Sequence, residues 1–75
     1  MKIIFSRHAK RRAKLYNIPE SVVVDLLSGV HFMPGEHQII RQIDDFNFPL
    51  KIIITVGNED ITVITTYPLK KGREK

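Results

Sequence analysis

Leu50-Lys51-Ile52-Ile53-Ile54-Thr55-Val56 runs into Gly57-Asn58-Glu59-Asp60 and then into Ile61-Thr62-Val63-Ile64-Thr65-Thr66-Tyr67. Two runs rich in β-branched residues, separated by four turn formers, read as an antiparallel hairpin. In the first run Leu50, Ile52, Ile54 and Val56 face one way and Lys51, Ile53 and Thr55 the other, so the first set is expected to lie against the core. The second run leaves its inward face open, because Ile61, Val63, Thr65 and Tyr67 are as mixed a set as Thr62, Ile64 and Thr66. Upstream, residues 37–43 alternate loosely and predict a third strand, joined to the hairpin by a reversal over 44–49.

N-terminal to the strands the hydrophobic period lengthens. Ser6 is a predicted N-cap for a helix through about Tyr16, with Phe5, Ala9, Ala13 and Tyr16 on one side and Arg7, Lys10 and Lys14 opposite. His8 and Arg12 fall on the flank of the apolar stripe, with Arg11 and Leu15 just beyond. Asn17-Ile18-Pro19 breaks this helix, since a residue before proline disfavours the α region and Pro19 suits the first turn of the next. Residues 20–28 form a second helix with Val22, Val23, Leu26 and Leu27 as its stripe, and Gly29 stops it. Lys2 to Phe5 is a short strand or an extended lead-in. The expected fold is α+β: two N-terminal helices on one face of a three- to four-stranded antiparallel meander sheet. One domain covers 1–75, with helices at about 6–28, strands at about 36–67 and a basic tail at 68–75.

Composition narrows the function. With 75 residues, 43% hydrophobic and 27% charged, the chain is of ordinary globular composition and has room for one domain. No apolar run exceeds three residues, which argues against a membrane span, and the apolar stretch at the N-terminus is too short for a secretory leader. A soluble, cytoplasmic protein is expected. The formal net charge of +4 is unevenly spread. Residues 1–16 hold six basic residues and no acid, 68–75 hold four against one, and the middle holds two against seven. Both ends attract polyanions, and a fold that joins them would make one basic face suited to nucleic acid.

The order of these features resembles a known group. Ser6-Arg7-His8-Ala9-Lys10-Arg11-Arg12, then Ile18-Pro19-Glu20-Ser21-Val22 opening a second helix, then a strand with Arg41, a hydrophobic strand, and Ile61-Thr62-Val63-Ile64-Thr65-Thr66-Tyr67 before a basic tail, looks like a small uncharacterised-domain family. Its members begin with a His-Ala-x-x-Arg helix and are similar to the RelE/ParE-like toxin superfamily. The resemblance covers nearly the whole chain and implies the barnase-colicin-RelE type of fold. It also implies a metal-independent endoribonuclease acting on RNA, in particular mRNA, and a small acidic antitoxin as partner. A ParE-like toxin directed at gyrase, and a non-catalytic module binding nucleic acid or protein on the same scaffold, are the alternatives.

Metal-free RNA cleavage needs a base for the 2′-hydroxyl proton, a cation for the phosphate and an acid for the leaving oxygen. His8, Arg41, Tyr67 and Lys70 supply those types and are the expected catalytic residues. Lys10, Arg11, Arg12, Lys14, Lys51, Lys71 and Arg73 are the expected nucleic-acid contacts. The competing readings are ordinary ones: a hydrogen-bonded helix histidine, a solvated basic face, an edge-strand charge at Arg41, a core aromatic at Tyr67 and a frayed tail. His8, His31 and His37 have no metal-motif spacing and there is no cysteine, so no metal is expected. No phosphate-binding glycine loop or nucleophile elbow is present, and no cofactor is expected.

Overall fold

The computed structural model describes residues 2–43 and 48–69. In chain order the elements are β1 (Lys2–Phe5), α1 (Arg7–Leu15), α2 (Glu20–Leu27), β2 (Gly35–Arg41), β3 (Leu50–Val56) and β4 (Asp60–Pro68). The α+β class and the helices on one sheet face are as the periodicities predict. The four strands lie in the order β1-β4-β3-β2. β2, β3 and β4 form the expected antiparallel meander, with the hairpin closed by the Gly57 N–H donating to the Asp60 carbonyl at 2.9 Å. Lys2–Phe5 is a strand, and it pairs parallel to β4, so the sheet is mixed. A four-residue lead-in has too little alternation to reveal its partner, which the rest of the fold selects.

α1 starts where Ser6 caps it. The Ser6 hydroxyl accepts from the Ala9 N–H at 3.0 Å and donates to the Ile64 carbonyl at 3.0 Å, while the Ser6 N–H donates to the Val63 carbonyl at 3.0 Å. One residue thus starts the helix and pins it to β4. The helix ends in a Schellman arrangement: the Ile18 N–H donates to the Ala13 carbonyl at 2.8 Å and the Asn17 N–H to the Lys14 carbonyl at 3.3 Å. Asn17 takes the left-handed conformation this requires, with φ 56°. Tyr16, expected on the apolar side, is instead the C-cap and stands partly exposed, because the 3.6-residue period ends before it. Phe5 likewise belongs to β1 and packs half-buried at the core margin. Pro19 is the N-cap of α2 rather than its first residue, and Gly29 at φ 78° follows the Ser28 C-cap.

The core is one cluster. Ala9 and Ala13 of α1, Ile18, and Val23 and Leu27 of α2 pack on Ile39, Leu50, Ile52, Ile54, Val56, Ile61 and Val63 of the sheet. The expected inward set of β3 is the observed one. β4 resolves its ambiguity by using neither alternation throughout. Ile54 pairs with Val63 but Ile53 pairs with Thr65, so Ile64 is an extra residue in a β-bulge. The bulge shifts the phase: Ile61 and Val63 are buried before it, and Thr66 after it. Tyr67 therefore belongs to the open face.

Candidate nucleic-acid interface

α1 carries Arg7, Lys10, Arg11, Arg12 and Lys14 among nine residues and no acid. Its buried positions are Ala9 and Ala13 alone. Two methyl groups make a narrow seam and let the helix axis lie close to β4 and β1, so most of its circumference faces outward. Arg7, Lys10, Arg11 and Lys14 are all exposed, and their spacing of three and four residues places them on adjoining turns of one face. The row they form is about 10 Å long at 1.5 Å per residue.

This arrangement opposes the free helix. Cations in the first turn meet the positive end of the helix dipole, and no acid offsets them. The like-charged pairs Arg7/Arg11 and Lys10/Lys14, four apart, each cost about 0.2–0.5 kcal/mol. An anion laid along the face removes both penalties.

Beside the row, Arg12 is half-buried and its Nε donates to His8 Nε2 at 3.4 Å, a long bond between partners one turn apart. His8, Arg11, Arg12 and Leu15 line an open depression. Leu15 is 65% exposed and gives this cationic hollow an apolar wall.

The other expected site residues stand elsewhere. Arg41 pairs with Leu50, which assigns it to the helix-bearing side of the sheet at the end of its edge strand; there its Nη1 donates to the Ile40 carbonyl at 3.2 Å. Tyr67 pairs with Lys51 on the open face, and both are half-buried. The sheet therefore lies between His8 and the Tyr67–Lys51 pair, and no hydrogen bond joins His8, Arg41 and Tyr67 to one another. Lys70, Lys71 and Arg73 lie outside the described residues.

His37 holds the segment before β2: its Nε2 lies 2.7 Å from the Met33 carbonyl and its ring 5.4 Å from that of Phe32. Among the described residues no group of three or more potential ligands gathers for a metal ion. Arg7 completes the basic row and is absent from the contacts expected from sequence, although its spacing from Lys10, Arg11 and Lys14 marks it. No family model, curated protein or solved structure matches the chain.

Proposed function

We propose that this domain binds single-stranded RNA through the outward face of α1, as a nucleic-acid-binding module. The observation that carries the reading is the helix itself, with five cations, no acid and only two alanines committed to the core. Phosphates align with Arg7, Lys10, Arg11 and Lys14, and the planar Arg12 beside exposed Leu15 offers a surface for an unstacked base. Binding to a labelled RNA oligomer followed by fluorescence anisotropy tests this. Three to four phosphate contacts give a slope of log affinity against log salt of about −2 to −3. Lys10→Ala and Arg11→Ala should each flatten it by about 0.7. Affinity that ignores salt, or is unchanged by both substitutions, defeats the proposal.

A second reading is favoured by the His8–Arg12 pair. An imidazole flanked by Arg11 and Arg12 has the composition needed for metal-independent cleavage. His8 takes the proton of a 2′-hydroxyl, that oxygen attacks phosphorus, the guanidiniums hold the phosphate oxygens, and the bond to the 5′-oxygen breaks as water protonates it. In this RelE-like reading an acidic antitoxin segment competes with RNA for the same cations. His8→Ala should then abolish chelator-resistant cleavage of a long RNA and leave the anisotropy titration nearly unchanged. Intact RNA after prolonged incubation with pure wild-type protein leaves the binding function alone.

A further inference from the structure

α1 carries a hollow as well as a row. His8, Arg11, Arg12 and Leu15 stand at spacings of three and four, so they share one side of the helix over about 10 Å, and no acid lines the depression between them. Its volume is about 360 Å³, at the small end of ligand clefts, which suits one end group better than a length of chain. Row and hollow present charge differently. Arg7, Lys10 and Lys14 are exposed and do not line the hollow, so each meets an internal phosphate singly. In the hollow two guanidiniums and an imidazole border the same space. The Arg12 Nε donates to His8 Nε2 at 3.4 Å, which anchors the guanidinium at that edge and leaves its two Nη groups for a ligand. Arg11 adds a second fork and belongs to both features, so the hollow opens onto the row.

We infer that, on the reading of α1 as an RNA-binding face, this hollow takes the terminal phosphate of the strand, a phosphomonoester, while the diesters next to it lie along the row. Charge and shape both favour the end group. A phosphomonoester carries a charge of about −1.5 to −2 at neutral pH and three terminal acceptor oxygens, whereas each internal diester carries a single charge. Two guanidinium forks side by side match that greater charge and the additional oxygen, and isolated cations on the row do not. The far wall of the hollow is Leu15, 65% exposed, an apolar side chain that offers nothing to a further phosphate. It suits instead the ribose and base of the end nucleotide, so the strand stops here rather than running through.

Anisotropy titrations of the whole chain read this, with one internally labelled RNA oligomer that ends in a 5′-phosphate, a 3′-phosphate or hydroxyls at both ends. The form whose phosphate enters the hollow should bind about tenfold tighter than the hydroxyl-ended one, the scale of the charge-assisted hydrogen bonds gained. Arg12→Gln and Arg11→Gln should each bring that ratio to about two or less. Arg11 is exposed, so its substitution reads the site independently of any packing role of half-buried Arg12, and circular dichroism checks that the variants are folded. Lys14→Ala, outside the hollow, should weaken every form alike and keep the ratio. Equal, salt-dependent affinity for all three forms, a ratio that survives both glutamine substitutions, or one that falls with Lys14→Ala overturns the terminal site and leaves the RNA-binding face standing. Absent or salt-independent binding of every form removes both.

Discussion

Thr66 is fully buried, and its hydroxyl finds no hydrogen-bond partner among the described residues. A buried unsatisfied hydroxyl costs about 1–3 kcal/mol, so Thr66→Val, nearly equal in shape and a good strand former, should raise the free energy of unfolding by about 1 kcal/mol in urea melts. An unchanged or lower midpoint would mean that the hydroxyl is satisfied. Nothing in Ile61-Thr62-Val63-Ile64-Thr65-Thr66-Tyr67 marks Thr66 as the buried threonine, because a strict two-residue period through Ile61 and Val63 selects Thr65 instead. Ser6 is the opposite case: its capping role is legible from a hydroxyl standing before a helical run, although its bond to Ile64, 58 residues away, is not. Removing the cap costs about 1–2 kcal/mol, and here the bulge carbonyl loses its donor as well. Ser6→Ala should therefore lower stability by about 2 kcal/mol, read from the same melts, and a loss below about 0.5 kcal/mol would show that neither bond matters.

At the scale of an element, α1 sets binding against stability. Lys10 stands three residues after Arg7 and four before Lys14, so Lys10→Glu turns two repulsions into attractions and places an acid within the early helix. The free domain should gain about 0.5–1 kcal/mol while RNA affinity falls about tenfold or more at low salt. Loss of stability together with affinity would show that the cations serve the fold and not a ligand. The helix, its basic face and its alanine seam were all readable beforehand, since a 3.6-residue period and a cap are local properties. Its end was less so, because the Schellman turn at Asn17 moves Tyr16 off the stripe. In β4 the local rule fails at Ile64, where an extra residue is accommodated by a carbonyl bond from the start of α1.

For the molecule as a whole, the uneven charge acquires positions. The N-terminal cations occupy the outside of α1, Tyr67 and Lys51 belong to the open sheet face, and the neutral edge β2 is the one away from β1 and the basic helix. Three surfaces with different chemistry thus share one small core, and His8, Arg41 and Tyr67 are divided among them rather than gathered. The chain sequence by itself determined the α+β class, both helices, the β3–β4 hairpin, the inward face of β3 and a basic first helix. Each follows from periodicity, capping or turn chemistry within a dozen residues. Only the tertiary structure decided that β1 pairs parallel with β4, that a bulge reverses the facing of β4, and that the sheet lies between His8 and Tyr67. Those outcomes depend on contacts between segments tens of residues apart, where closing the chain and filling the core choose among arrangements that local pattern leaves equal.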